Sequence, residues 1–193
     1  MTALSPSLQA PAYDIDAWRR QIPLLGHCIP MNNCSQAPQT RRTRDAAERY
    51  LDGWNSVGMD WDAWMAEVAL AKAEFARVIN APPDSIAVFS SVSEATSAVA
   101  SALDFSAARS RVVVTEAEFP TIGHVWLAQE RRGARVSWVP VDDGEIRLAR
   151  YDAVLDREVA IVSATHGYYL NGFVQPVRVL ADRAHAAGAL LYV

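Results

Sequence analysis

From Ser85 onward, short apolar runs alternate with helical stretches, and no other feature of the chain limits its fold as strongly. The candidate strands are 86–89, 111–115, 135–139, 159–163 and 189–193. Between them the spacing predicts helices at 93–103, 122–132, 148–155 and 177–187. A strand that is apolar throughout has no face to give to water, so both its faces must be covered. Such strands, separated by helices, build a parallel sheet between two helical layers, joined by right-handed crossovers. The expected class is therefore α/β, a three-layer α/β/α arrangement with a mostly parallel sheet. In such sheets ligands bind beyond the C-terminal ends of the strands. The segments that follow each strand are where chemistry is to be sought.

The chain before Ser85 reads helical, as an N-terminal arm. Helices are expected at 14–20, at 39–51 with Gly53 as the stop, and at 60–79. In the last, Trp64, Val68, Ala71, Phe75 and Val78 fall on one face, which predicts a buried stripe. Ala81-Pro82-Pro83-Asp84 ends it. Trp54, Trp61 and Trp64 crowd this region and read as packing. Of the 18 basic residues, 17 are arginine and one is lysine, Lys72.

Composition removes several function classes. Hydrophobic residues at 51% and charged residues at 21% exclude a disordered or collagen-like chain. A net charge of −4 gives no global basic footprint, so no nucleic-acid partner is expected. No apolar run nears the ~20 residues that span a bilayer, and the N-terminus lacks a basic start followed by an apolar core. Neither a membrane partner nor a signal peptide is expected. Cys28 and Cys34 make no disulfide framework, which favours a reducing, cytoplasmic location. His27, His124 and His185 show no metal spacing, so no metal site is expected.

Three loops carry candidate chemistry. Ser90-Ser91-Val92-Ser93-Glu94-Ala95-Thr96 joins a strand to a helix. A helix N-terminus offers free N–H groups and a positive dipole end, and serine hydroxyls add donors, so this segment suits a phosphate. The plain alternative is an N-cap by Ser93 or Ser91. It is neither a Walker A loop, since no Gly-Lys-Ser/Thr follows, nor a dinucleotide fingerprint, since the glycines are missing. After the next strand comes Thr115-Glu116-Ala117-Glu118-Phe119-Pro120-Thr121. Phe119 at the sheet edge could stack on a flat cofactor, or be a loop aromatic. The third loop, Ser163-Ala164-Thr165-His166-Gly167-Tyr168-Tyr169-Leu170-Asn171-Gly172-Phe173, gathers a histidine, two tyrosines and an asparagine. His166 could serve as an acid–base group or as a hydrogen-bonded loop residue.

A phosphate cradle, an aromatic plate and a polar cluster at one sheet edge suit a planar phosphorylated cofactor. In order and spacing the chain resembles the class V aminotransferase family of fold type I pyridoxal-phosphate enzymes, which includes cysteine desulfurases and kynureninases. The matching stretches are Ile86 to Ala95, Val136 to Glu145, Ala184 to Val193 and Met31 to Leu51. The resemblance covers nearly the whole chain but about the first half of the usual family chain. It implies pyridoxal 5'-phosphate as cofactor, held by the Val92 backbone and Ser93 at its phosphate. Phe119, followed by Pro120 and Thr121, takes the stacking position in a manner more like kynureninases than desulfurases. The loop through Asn171 would lie by the cofactor's phenolic oxygen, although the desulfurase asparagine position itself aligns with Tyr169.

The resemblance also implies what to expect of the whole. The family's Asp for the pyridine nitrogen would follow Val193, and its Schiff-base lysine would come later; Lys72, upstream of the cradle, does not match it. The expectation is an N-terminal fragment of an enzyme acting on an amino acid or amine, as transaminase, desulfurase or kynureninase-like lyase, and inactive alone. No catalytic residue is assigned within it. Residues 1–51 would form the arm and 52–193 a partial cofactor-binding large domain, ending at its fifth strand. A homodimer is implied for the complete enzyme. The alternative is a non-catalytic α/β module binding a phosphorylated ligand or a partner subunit.

Overall fold

The structure is a computed structural model that describes residues 13–33, 36–106 and 108–193. Cys34 and the first twelve residues of the expected arm lie outside them. The chain divides after Ile86 into two compact units.

In the N-terminal unit each helix begins at a side-chain cap. Helix α1 (Ile15–Gln21) starts where Asp14 accepts from the Ala17 N–H at 2.8 Å. Helix α2 (Arg41–Ser56) starts at Thr40, which accepts from Thr43 at 3.1 Å. Helix α3 (Trp61–Ile79) starts at Asp60, which accepts from Ala63 at 3.2 Å. Each cap satisfies one of the donors that a helix start leaves unpaired. The Ser56 end corrects the expected stop at Gly53, which lies inside α2. A lone glycine costs a helix about 1 kcal/mol and does not break it. The break comes at Gly58, whose left-handed φ of 81° lets its N–H fold back 3.0 Å to the Gly53 carbonyl.

The tryptophans meet through ring contacts of Tyr50 with Trp54 (5.3 Å) and Trp64 (5.7 Å), and of Trp61 with Trp64 (5.9 Å), but Trp54 and Trp61 stay exposed, so packing as expected holds for Trp64. The buried stripe on α3 is not observed. Trp64 is half-buried, but Val68, Ala71, Phe75 and Val78 are exposed, and the buried residue of the helix is Ala76. Tyr50 of α2 meets Trp64 near the start of α3, leaving the stripe beyond it uncovered.

The C-terminal unit is the expected sandwich. Helix α4 (Val92–Ala102) precedes strand β1 (Arg111–Thr115), then α5 (Pro120–Ala128), β2 (Arg135–Val139), α6 (Leu148–Asp152), β3 (Val159–Ser163), α7 (Val177–Ala186) and β4 (Leu190–Tyr192). The sheet is parallel, in the order β2-β1-β3-β4. Alternation along β1 sorts the core into two layers. Val112 and Val114 pack with Ala100 of α4 and Ile122 and Trp126 of α5. Val113 packs on the other face with Tyr151 of α6 and Leu180 and Ala184 of α7. Gly123 lets α5 lie close on β2, since a Cβ there would meet the Trp138 ring at 2.9 Å.

The expected strand at 86–89 begins extended, with Ile86 at φ −97° and ψ 125°, but it pairs with none of the four strands. Val88 and Phe89 are exposed. Local β-propensity sets the dihedrals, but a strand also needs a neighbour to complete its ladder. No helix among the described residues is long and apolar enough to cross a membrane.

Arg132 ties the α4 end to the helix pair. It donates to the carbonyls of Ala100 (2.9 Å), Ser101 (3.1 Å) and Leu103 (2.9 Å), and its guanidinium lies 5.7 Å from the Phe105 ring centroid. Arg132→Ala is expected to lower unfolding free energy by about 1–3 kcal/mol, with Arg132→Lys recovering less than half, as read from denaturant midpoints.

Candidate functional site

The sheet order itself opens a crevice. Strands β1 and β3 are neighbours, yet the helix leaving β1 packs on one face and the helix leaving β3 on the other. The chains therefore part at the C-terminal ends of these strands, the place where open α/β sheets bind ligands. Phe119 follows β1, and the loop from Thr165 to Val174 follows β3.

The two meet there. The Phe119 ring lies 5.5 Å from that of Tyr169, edge-on, and Tyr169 in turn lies 5.7 Å from Tyr168. Phe119 is 57% exposed, so one face of this plate is open to a ligand. Thr121 is half-buried in the first turn of α5. The loop is held as a narrow hairpin by Tyr168 N–H to Phe173 O, and by Gln175 N–H to His166 O, both at 2.8 Å. Asn171 fastens it outward. Its Nδ2 donates 2.7 Å to the Gly144 carbonyl and its Oδ1 accepts from the Phe173 N–H at 2.9 Å, so the amide is spent on shaping the loop. His166 is exposed.

Helix α4 reaches the same edge. The Thr96 and Tyr192 hydroxyls share a hydrogen bond of 2.6 Å, which sets the early turns of α4 beside the end of β4. Of the two serines that could cap α4, it is Ser91, not Ser93, whose hydroxyl accepts from the Glu94 N–H at 3.2 Å. Ser91 alone has the extended backbone that a cap needs, while Ser93 is already the second helical residue. Glu94 reaches back to the Ser90 N–H (2.9 Å) and hydroxyl (2.6 Å), which hold its carboxyl below the usual carboxylate range. The Ser-x-x-Glu spacing of a capping box was legible in the sequence. With Ser91 occupied as the cap, the N–H groups of Val92 and Ser93 are the donors that this helix start presents outward.

Several groups at this edge carry no sequence signal. Glu118, half-buried in the turn after β1, is pushed up to about 7 by burial, against the pull of a hydrogen bond from the Phe119 N–H. The folded protein thus keeps a proton that the unfolded chain releases at its ordinary value of 4.5, so Glu118 costs stability as pH rises from about 4.5 to about 7. The Tyr151 hydroxyl, buried beneath β1, lies well above the ordinary phenol range, first through burial. The Thr115 hydroxyl beside it pulls the other way, but no hydrogen bond of ordinary geometry reaches the phenol, and none reaches Ser163 Oγ, Trp126 Nε1 or the Gln175 amide, all buried. No cluster of three or more metal-ligating side chains occurs among the described residues.

A family model described as "Aminotransferase class-V" matches residues 34–193. The chain belongs to the class-V aminotransferase family. It is 31% identical over 178 residues to an uncharacterized aminotransferase, YcbU, of Bacillus subtilis, covering 92% of this chain and 47% of that protein. A probable cysteine desulfurase of Streptomyces coelicolor is 29% identical, with 93% and 48% covered. The chain spans about half the length of the curated relatives it matches. Among solved structures, a C-DES variant with glycine covalently linked to its PLP cofactor superposes with a TM-score of 0.77 at 19% identity, over 91% of this chain and 49% of that one. The apo cysteine desulfurase of Thermococcus onnurineus gives 0.76 at 20% identity, over 96% and 47%. These likenesses establish the fold. Class-V aminotransferases use pyridoxal phosphate.

The residues at this edge fit that group at three points. The α4 start presents donors suited to a phosphate, Phe119 presents an open ring face, and Ser163 Oγ at the end of β3 is a buried polar atom still without a partner. Because Ser91 rather than Ser93 caps α4, Ser91→Ala is expected to destabilise the fold by about 1 kcal/mol, while Ser93→Ala changes it by less than about 0.5 kcal/mol; thermal melts of the two variants decide it.

Proposed function

We propose that this chain is the cofactor-cradling part of a pyridoxal-phosphate enzyme acting on an amino acid or amine. The supporting observation is the gathering of the α4 start, the Phe119–Tyr169 rings and the β3 loop at one edge of one parallel sheet. In this reading the Val92 and Ser93 N–H groups and the Ser93 hydroxyl bind the phosphate, aided by the positive end of the helix. Phe119 stacks on the cofactor ring and fixes its tilt, with Thr121 beside it in the first turn of α5. Asn171 acts by holding the β3 loop against Gly144, which keeps Tyr169 on Phe119. When bound, the cofactor supplies an electron sink for charge developing on the substrate.

Residues 1–51 serve as an arm and 52–193 as a partial large domain, and the complete enzyme is a cytoplasmic homodimer in this reading. The reaction is transamination, desulfuration or a kynureninase-like cleavage. Lys72, the single lysine, belongs to the N-terminal unit on α3, where it is half-buried beside Met65, Val68 and Ala69. The family resemblance assigns Lys72 no part in the cofactor site. The chain alone therefore binds the cofactor without turning over an amino acid.

The test is an absorbance titration of the purified chain with pyridoxal phosphate, followed by borohydride reduction and peptide mapping. Phe119→Ala is expected to weaken binding about threefold to tenfold, through lost stacking. Ser93→Ala is expected to weaken it by about tenfold, through a lost hydrogen bond to a charged group. Lys72→Ala should leave it unchanged. Specific labelling of Lys72 together with turnover, or binding indifferent to Phe119 and Ser93, would overturn the reading.

A further inference from the structure

One side chain of the sheet reaches into the first turns of α4. The Tyr192 hydroxyl lies 2.6 Å from the Thr96 hydroxyl. Thr96, with none of its surface exposed, also donates 2.7 Å to the Val92 carbonyl. A hydroxyl carries a single proton, so Thr96 has none left for Tyr192, and the phenol is the donor of that pair. The bonds therefore run one way, from Tyr192 Oη to Thr96 Oγ1 to the Val92 oxygen. That oxygen shares its peptide plane with the Ser93 N–H. Whatever fixes the carbonyl also fixes the direction of that N–H.

A hydroxyl that bonds back to the carbonyl four residues earlier is ordinary in helices, and the exposed Ser97 does this to Ser93 at 2.8 Å. Thr96 differs in receiving a proton from another element, and that element is itself held. The Tyr192 carbonyl accepts from the Ala164 N–H at 2.9 Å, and its ring meets the buried Trp126 ring edge-on at 6.2 Å. The helix start needs such a tether. The segment before it pairs with none of the four strands, and the buried residues of α4 are Thr96 and Ala100, of which Thr96 lies nearer the start.

We propose that Tyr192 and Thr96 are positioning residues for the Val92–Ser93 peptide: a relay of two hydroxyls, anchored in β4, holds the Val92 carbonyl and so aims the Ser93 N–H. Hydrogen bonds in series polarise one another, so the phenol acts on the peptide through Thr96 and not beside it. A carbonyl that accepts more strongly also leaves its own peptide N–H a stronger donor. Neither residue is catalytic, since each acts through the next. That the aimed N–H meets a phosphate rests on the function proposed above; the relay itself does not.

The experiment is NMR of the full chain, with the Val92 carbonyl carbon and the Ser93 amide sequentially assigned. In the wild type, which needs no variant to fold, the Tyr192 hydroxyl proton is expected to exchange slowly with water and to show a contact with the Thr96 methyl; a freely exchanging proton would overturn the relay. Thr96→Val keeps size and branching and removes the hydroxyl, while Tyr192→Phe keeps the ring on Trp126 and removes the donated proton. Both should move the Val92 carbonyl signal upfield, Thr96→Val further, and Thr96→Ser should leave it in place. Binding of inorganic phosphate, read at the Ser93 amide, is expected to weaken about threefold to tenfold in Thr96→Val and about twofold in Tyr192→Phe. The double variant should match Thr96→Val alone, since a phenol without its acceptor passes nothing on. A Val92 signal unmoved in either single variant, or losses that multiply in the double variant, would overturn the relay. A wild type that binds no phosphate, with the Val92 and Ser93 signals moving as expected among the variants, would count against the proposed function alone.

Discussion

Strand β1 is hydrogen-bonded on both sides, to β2 and to β3, and its three valines are buried on alternate faces. The site depends on this one strand. Because β1 sends its chain to α5 on one face while β3 sends its chain to α7 on the other, the backbone cannot close over the gap between them. The crevice follows from connectivity before any side chain is considered. What fills its rim is set by the residues that follow each strand, which is why Phe119 and Tyr169 meet across it.

The opposite edge of the sheet is built for rigidity. Arg111 bonds Asp156 at 2.8 Å and Glu158 at 2.7 Å, and Arg135 bonds Glu158 at 3.0 Å. Arg109 donates to the carbonyls of Val159 and Ala187. These contacts fasten the strand starts to one another. At the C-terminal edge the pattern reverses, and buried polar atoms stand without partners. Native interiors pair most such groups, and among these Ser163 stands at the C-terminal end of β3. The arginine-rich network thus gathers at the end where the strands start.

The N-terminal unit has a different economy. Its helices are well capped, yet the described residues of α1 and α2 include none that is buried, and α3 buries Ala76. Propensity and caps contribute little to helix stability compared with burial of an apolar face. The exposed stripe of α3 is therefore apolar surface that the helix has in excess of its own needs.

The period of the apolar runs determined the sheet, its parallel sense and three of its strand ranges, because a strand buried on both faces leaves a continuous mark in sequence. The Ser-x-x-Glu spacing likewise contained the α4 cap, although the adjacent serines disguised which of them performs it. Residues 86–89 show where local reading ends: Ile86 has an extended backbone, but pairing belongs to whatever lies beside the segment. The buried face expected on α3 failed for the same reason, since periodicity defines a face and cannot supply its partner. Nothing in the spacing linked Thr96 to Tyr192, because that pair is joined across layers by packing. The sequence alone determined which segments end at the binding edge; the tertiary structure decided which side chains meet there and how far burial shifts the Glu118 proton, since both depend on distances between segments remote in the chain.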